Sequence, residues 1–190
     1  MLSSYFFDQE YQNIDFTQQL FIQSEFEQCV FFNCNFNELD LSNFKFIECQ
    51  FIECNLSNVQ LNETSFQNVD FTACKMIGFN LEHSLSFALK VSFNNCLLND
   101  SSFYQLELSR TKFIRCSLQN VDFSFTNLNN SFFDLCDFQS AIFDQTNLKQ
   151  ANLKTSFNFQ LNPNENYVKN AIFSKDNLEG LLHYLNIKIQ

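Results

Sequence analysis

A period of five residues is the feature that most constrains the fold of this chain. Between Cys29 and Leu61 a large apolar residue returns at every fifth position, and the positions around it are mostly polar. These central residues are Phe31, Phe36, Leu41, Phe46, Phe51, Leu56 and Leu61. A period of five fits neither the 3.6-residue turn of an α-helix nor the alternation of a strand. A short fixed period is instead typical of a solenoid, whose similar units stack on one another.

Two columns of identical residues give the length of one coil. Six of the eight cysteines are separated by 20 residues, apart from one separation of 22, and they are Cys34, Cys54, Cys74, Cys96, Cys116 and Cys136. A phenylalanine column with the same spacing contains Phe31, Phe51, Phe71, Phe93, Phe113 and Phe133. Residues two apart on an extended segment point to the same side, so both columns can face inward. We therefore expect each coil to consist of four fives, with the phenylalanine column as the structural core.

The single separation of 22 locates an insertion of two residues. The central residues run by fives from Phe16 to Leu81 and resume at Phe93, so the irregular unit lies in Glu82–Ser92. We expect Phe87 to be its central residue. The insertion is interpreted as a small bulge in one face, and a protruding functional loop is the alternative.

The cysteines are interpreted as small core residues. All eight stand two positions before a central residue, where Val59 and Ala141 also occur, so we expect them to be buried and reduced. No paired Cys or His spacing suggests a metal site. His83 and His183 are 100 residues apart in sequence, and no Ser–His or Cys–His pairing is suggested. We therefore expect no metal, no cofactor and no catalytic residues, that is, a protein that is not an enzyme.

Charge and hydropathy limit the partners and the compartment. The formal net charge is −10, which disfavours direct binding of nucleic acid or of an anionic membrane surface. No cationic segment followed by an apolar one suggests a signal peptide, and no apolar run has the roughly 18 residues of a spanning helix. The expectation is a soluble, cytoplasmic protein with no membrane partner.

The repeat stops after Leu153, so we divide the chain into a rod with an N-terminal cap (1–157) and a C-terminal segment (158–190). Ser174 is a typical N-cap, and the leucines after it recur at helical spacing. Residues 187–190 alternate as a strand. This segment could be a lid over the last coil, but it offers more apolar surface than a lid needs, so we also expect a homodimer contact. The dimer residues would be Leu178, Leu181, Leu182, Leu185, Ile187 and Ile189.

The fives resemble those of the pentapeptide-repeat family, which implies an all-β, right-handed quadrilateral β-helix of about seven coils with a short helical C-terminal segment. The tail LNPNENYVKNAIFSKDNLEGLLHYLNIKI and the start FFDQEYQNIDFTQQLFIQSEFEQCVFFNCNF further resemble the Qnr quinolone-resistance and microcin-immunity family. That resemblance implies a rod-shaped dimer that mimics DNA. It would bind DNA gyrase or topoisomerase IV and protect them from quinolones or related poisons. The chain lacks the long loops between coils of many Qnr proteins.

The charge pattern suggests where such an enzyme would bind. When each five is assigned to one of four faces, two adjacent faces hold nine acids and one base, Lys75, whereas the other two sum to −1. The predicted topoisomerase-binding residues on the acidic side are Glu38, Asp40, Glu63, Glu82, Asp100, Asp122, Asp137 and Asp144. A pentapeptide-repeat scaffold or interaction module with no topoisomerase role is the alternative function.

Overall fold

A computed structural model describes residues 4–188 and shows a parallel β-solenoid of about seven coils with one short C-terminal helix. The shorter sheet contains β1 (Ser4–Phe7), β3 (Ser24–Glu27), β5 (Lys45–Ile47) and β7 (Ser65–Gln67). The longer sheet contains β2 (Glu10–Gln12), β4 (Val30–Phe32), β6 (Gln50–Ile52), β8 (Val69–Thr72), β9 (Val91–Asn94), β10 (Lys112–Ile114) and β11 (Phe132–Asp134). The predicted fold class is confirmed.

The register between strands repeats the spacing of the sequence columns. Phe31 pairs with Phe51, and Phe51 pairs with Phe71, so each partner lies four fives further along the chain. Across the insertion Phe71 pairs with Phe93, which adds the two inserted residues to that step, and the regular spacing then resumes. The insertion therefore lengthens one coil without shifting the register of the coils that follow.

Each coil has four faces, which we name by their contents. The short-sheet face and the long-sheet face carry the two sheets. The cysteine face contains the fives centred on Phe36, Leu56, Met76, Leu98, Leu118 and Phe138, and the aspartate face contains those centred on Leu41, Leu61, Leu81, Phe103, Phe123 and Phe143. On these two faces the coils are joined by isolated bridges such as Asn35–Asn55 and Asp40–Gln60. Along the chain, the order is cysteine, aspartate, short-sheet and long-sheet face.

A ladder of stacked rings fills the interior behind the long sheet. Phe51 lies 4.7 Å from Phe31 and 5.2 Å from Phe71 between ring centroids, with nearly parallel planes. The ladder runs from Tyr11 through Phe31, Phe51, Phe71, Phe93 and Phe113 to Phe133. The six predicted core phenylalanines are all buried, because only the ring of the next coil and the facing columns surround them.

The first residue of most fives is small because it sits against the coil below. All eight cysteines are buried, as predicted. The Cys54 thiol donates to the carbonyl oxygen of Phe31 at 3.3 Å, and Cys74 donates to Phe51 in the same way. The hydroxyl of Thr64 makes the equivalent bond to Leu41 at 2.8 Å. A thiol or hydroxyl here thus satisfies a carbonyl between coils as well as filling space.

The corners of the coil use left-handed backbone without glycine. The last residue of almost every five has φ near +55°, and Gly78 is the one glycine among them in the described residues. Asn fills many of these positions because it tolerates this conformation at small cost. Phe125 and Leu135 also adopt it, although bulky residues seldom do. The solenoid therefore turns with little Gly or Pro by repeating one backbone conformation.

The insertion differs from the expectation in which residue faces inward. Phe87 is 80% exposed, so the prediction that it is the central residue is wrong. Leu89 instead packs against the core, and Ala88 beside it takes the left-handed corner conformation. Because the coil has two extra residues, the side chain that faces the core is the one two positions before β9, which is Leu89. Phe87 is left on the short-sheet face.

The first strands extend both sheets. β1 pairs with β3, and β2 pairs with β4, so each becomes the outermost strand of its sheet. Phe6 stacks on Phe26 at 5.1 Å. The hydroxyl of Tyr5 donates to Glu27 at 2.7 Å, and this bond raises the pKa of Tyr5 to about 12. The segment thus covers the next coil by repeating its structure.

The C-terminal segment is more broken than the leucine spacing predicts. Bridges continue past residue 157 as far as Ile172, and 3-10 turns at Lys175–Asn177 and His183–Leu185 flank a four-residue helix, α1 (Glu179–Leu182). The side chain of Ser174 caps the first turn, as expected. The short helical C-terminal segment is confirmed, and it ends at Asn186 as expected. Residues 187 and 188 do not form the expected strand, because Asn186 takes a left-handed conformation that turns the chain.

Candidate functional site

The eight predicted binding acids lie on the outside of two adjacent faces. The cysteine face and the aspartate face together form what we call the acidic surface. Asp40, Glu38, Glu63 and Asp100 are exposed. The others, Glu82, Asp122, Asp137 and Asp144, are half-buried with their side chains still reaching the surface. The structure therefore brings all eight predicted residues to one side of the rod.

Several of these acids also hold the backbone turns. The carboxylate of Asp40 accepts a hydrogen bond from the Ser42 amide at 2.9 Å, and Asp122 accepts one from Ser124 at 2.8 Å. Asn35 and Asn55 make the same bond on the cysteine face. Because Asn serves equally well at this position, the turn requires the side-chain oxygen but not its charge.

Neighbouring coils add side-chain bonds to the same carboxylates. Asp137 accepts from Gln119 at 2.6 Å, and Asp100 accepts from Asn120 at 2.9 Å. At the start of the column, the hydroxyl of Thr17 donates to Asp15 and holds the pKa of that carboxyl below its usual range. These bonds come from neutral groups, so they orient the negative charges without cancelling them.

Few cations neutralise the acidic surface. Lys75 is its one lysine, and the rod's arginines lie on the other two faces. Among residues 4–188 the lysine–carboxylate ion pair within 4 Å is Lys45–Glu25, which lies on the short-sheet face. Glu82 is 3.7 Å from His83, an imidazole that carries charge only when protonated. The acidic surface thus carries a net negative charge that would attract a basic partner.

Apolar side chains stand among the acids, and sequence reasoning missed them. Leu97, Phe125 and Ile142 are large and exposed on the acidic surface. The ring of Tyr104 packs edge-on against Phe125 at 5.6 Å. Leu97, Phe125 and Ile142 occupy outward positions of their fives, and that position is the signal in the sequence that marks them. Exposed aromatic and aliphatic groups inside a charged rim are typical of protein-binding surfaces.

The predicted dimer residues divide between the core and the surface. Leu181 packs against the core cluster, and Leu182 is half-buried. Leu178, Leu185 and Ile187 are exposed, with Tyr184 beside them. Ile189 lies outside the described residues. The segment therefore uses one side of the leucine stripe as a lid and leaves the other side available for contact.

A close approach fixes the lid to the last coil. The amide of Leu161 donates to the carbonyl of Gly180 at 3.0 Å, and Asn177 donates to the carbonyl of Ser156 at 2.8 Å. A Cβ atom on Gly180 would lie 2.1 Å from the carbonyl oxygen of Phe159. Only glycine fits at this point, because backbone meets backbone there.

The two histidines lie at different levels of the rod. His83 belongs to the insertion, and His183 lies in the C-terminal segment. Within residues 4–188, no group of Cys, His, Asp and Glu side chains has the arrangement of a metal site. In that same part of the chain, none of the helices reaches the length and hydropathy needed to cross a bilayer.

Solved structures of similar shape include a quinolone-resistance protein. A trypsin-treated variant of QnrB1, described as a plasmid-mediated fluoroquinolone resistance protein, has 16% identity and a TM-score of 0.63. The alignment covers 98% of this chain and all of that one. HetL of Nostoc sp. strain PCC 7120, a pentapeptide-repeat protein involved in heterocyst differentiation regulation, has 13% identity and a TM-score of 0.39, over 90% of this chain and 86% of its own. The likeness to QnrB1 concerns the fold.

Sequence comparison identifies the repeat itself. No curated protein sequence matches the chain. The pentapeptide-repeat family matches in eight copies over residues 12–46, 45–82 and 116–154, which is more than half of the chain. The period of five, the coils of four fives and this match agree. The chain belongs to the pentapeptide-repeat family.

Proposed function

We propose that this protein is a DNA mimic that binds type II topoisomerases, DNA gyrase or topoisomerase IV, and protects them from quinolones or related poisons. The surface that carries this proposal is the acidic side of the rod, with nine acids and one base on two adjacent faces. A topoisomerase must present a basic surface to hold duplex DNA. A rod with one negative side can occupy that surface in place of the duplex.

The likeness to DNA is one of shape and potential. Neighbouring coils are about 4.8 Å apart, and an acidic face carries roughly one carboxylate per coil. Phosphates on one strand are about 3.4 Å apart. The rod therefore offers a lower charge density than duplex DNA, and exposed Phe125 and Ile142 add the apolar contacts that a protein partner can use.

A two-fold dimer through the C-terminal segment would double the length of the mimic. Two rods joined at these ends would measure on the order of 70 Å. Exposed Leu178, Leu185 and Ile187 provide the apolar surface for this contact. Both acidic surfaces would then be available, related by the two-fold axis.

The similarity to QnrB1 supports the same function by analogy. That protein is a fluoroquinolone resistance protein, and its rod has the same fold. At 16% identity the analogy extends to architecture, so the function must be tested on the residues of this chain.

Removing charge from the aspartate face tests the proposal. Asp40, Glu63, Asp122 and Asp144 are replaced together by Asn or Gln, which removes four charges and keeps the side-chain oxygens that hold the turns at Asp40 and Asp122. We expect gyrase binding to weaken by about tenfold or more, since charge complementarity contributes substantially to such contacts. Protection of supercoiling against a fluoroquinolone should fall in parallel, and thermal unfolding should be unchanged.

A matched variant removes the same number of charges from the two sheet faces. It replaces Glu48, Glu53, Glu107 and Asp134 in the same way, and we expect binding within about twofold of the unmodified protein. Equal loss in both variants would mean that net charge, and not the acidic surface, drives binding. Absence of any topoisomerase binding by the unmodified protein would favour a scaffold or interaction module of another kind.

A further inference from the structure

The short-sheet face carries opposite charges in its two halves. Before the insertion it holds four acids and one base, Asp8, Glu25, Glu27, Glu48 and Lys45. From the insertion onward it holds four bases and one acid, Lys90, Arg110, Lys149, Lys169 and Glu107. Each half thus has a net charge of three, negative toward the N-terminus and positive toward the C-terminus. Most of these side chains are exposed.

An exposed aromatic residue marks the middle of this face. Phe87 is 80% exposed, and Leu85 next to it is exposed as well. Four fives of the face precede the insertion, centred on Phe6, Phe26, Phe46 and Phe66, and four follow it, centred on Leu108, Leu128, Leu148 and Val168. An apolar centre flanked by charged ends has the layout of a protein interface.

Such a face is complementary to itself. A two-fold axis through the insertion, lying in the plane of the contact and perpendicular to the rod, reverses the rod and places each acidic half opposite a basic half. Glu27 and Lys149 are both fourth in their fives, and the two fives lie at the same distance from the centre on opposite sides. The rotation therefore brings these two side chains opposite each other. We infer that two copies of this chain associate side by side and antiparallel through the short-sheet face, with Phe87 at the axis.

The contact is expected to be weak and sensitive to salt. One face of the rod is about 35 Å long and 10 Å wide, which is less area than a stable dimer usually buries. Each exposed ion pair contributes little to the free energy of association, and salt above about 0.1 M screens these pairs. Phe87 supplies the apolar anchor, and the reversed charges select the antiparallel orientation.

This association is separate from the function proposed above. The short-sheet face lies opposite the cysteine face in the coil, so pairing leaves that face and most of the aspartate face open. The end-to-end contact of the C-terminal segments uses other residues. An experiment that disproves side-by-side pairing therefore leaves topoisomerase binding and end-to-end dimerisation to be tested separately.

A cysteine placed beside Phe87 can report the contact. Ser86 is exposed, and the eight native thiols are buried, so Ser86→Cys adds the one accessible thiol. In the proposed pair, two copies of residue 86 approach the axis, and mild oxidation at low salt should form a disulfide-linked dimer within minutes. Gln139→Cys, exposed on the cysteine face, is the matched control. In an end-to-end dimer the two copies of residue 86 would be tens of ångströms apart.

Charge reversal then tests the orientation in the Ser86→Cys background. Lys149→Glu with Lys169→Glu should slow cross-linking about tenfold, and Glu25→Lys with Glu27→Lys should do the same. All four changes in one chain restore complementarity with reversed polarity, so cross-linking should recover. Phe87→Ser should reduce it as well, whereas Phe125→Ser on the aspartate face should not. The inference is overturned if Ser86→Cys cross-links no faster than Gln139→Cys, or if the four-residue variant fails to recover.

Discussion

The middle of the rod and its C-terminal end are stabilised in different ways. In the middle, Phe51 lies between Phe31 and Phe71, which occupy the same position one coil away on either side. At the end, Phe159 has one aromatic neighbour among residues 4–188, Phe173 at 5.4 Å in a tilted arrangement, and α1 covers it. The middle repeats a single contact, whereas the end depends on contacts that occur once.

This difference indicates what each region can tolerate. A repeated unit obtains its stability from equivalent neighbours, so the loss of one core side chain destabilises the adjacent coils as well. The end is specified by individual residues such as Gly180 and Asn177, and one change there can release the lid without unfolding the coils. The two regions should therefore respond differently to substitution.

The largest effect is expected in the middle of the phenylalanine ladder. Phe51→Ala should reduce the free energy of unfolding by about 3–5 kcal/mol, because it leaves a cavity between two rings that cannot close. Chemical denaturation measures the change. Phe87→Ala, which truncates an exposed ring, should change it by less than about 0.5 kcal/mol. Similar values for both variants would contradict the observed register.

At the C-terminal end, Gly180→Ala should displace the lid. The added methyl group meets the carbonyl of Phe159, and relieving that clash should cost about 1–3 kcal/mol. Hydrogen exchange locates the effect: the Leu161 amide, which bonds to Gly180, should exchange faster, while the Leu153 amide, bonded to Ile172, should keep its protection. Loss of protection at both amides would show that lid and coil unfold as one unit.

A smaller effect of opposite sign is expected at the corners. Leu135 is exposed and holds the left-handed conformation that Asn adopts at other corners. Leu135→Asn should therefore stabilise the protein by about 1 kcal/mol. The reverse change, Asn130→Leu at an equivalent corner, should destabilise it by a similar amount, as measured by thermal unfolding. Destabilisation by Leu135→Asn would mean that its apolar contacts outweigh the backbone term.

The smallest response should come from the thiols of the folded protein. Burial raises the pKa of Cys49 to about 12, so at pH 8 this thiol is protonated as well as covered. Native protein should react slowly with a thiol reagent at pH 8, and denatured protein should react at all eight sites. Rapid labelling of Cys74 or Cys96 before unfolding would show that the middle of the rod opens more readily than its packing indicates.

The sequence predicts the rod well because one spacing determines the whole architecture. Columns spaced by four fives identify the stacked residues, and the single longer step identifies the long coil. Prediction is poorer where the period is interrupted or ends: Phe87 is exposed, and the helical C-terminal segment is divided into a short helix between 3-10 turns. At those positions the length of the connecting chain determines which side chain packs against the core. Residue type alone does not indicate that choice.

The acidic surface could likewise be located from the sequence, but its details could not. Outward positions in each five show which carboxylates share a side. They do not show that Asp40 and Asp122 hold turns, or that Phe125 is exposed beside them. Summing charges over the two sheet faces gives −1 and conceals the reversal along the short-sheet face. A sum over a whole face ignores where each charge lies along the rod, and an elongated partner would contact those charges at their separate positions.

The long coil has a consequence for how such rods can change in evolution or by design. Phe71 and Phe93 stack much as the other pairs in the ladder do, although two additional residues separate them in sequence. The two added residues lie on the outside of the coil between β8 and β9, so the hydrogen bonds between coils keep their usual register. This corner is a natural site for grafting a peptide. A sequence placed between Ser86 and Ala88 would be displayed at mid-rod while both sheets keep their alignment.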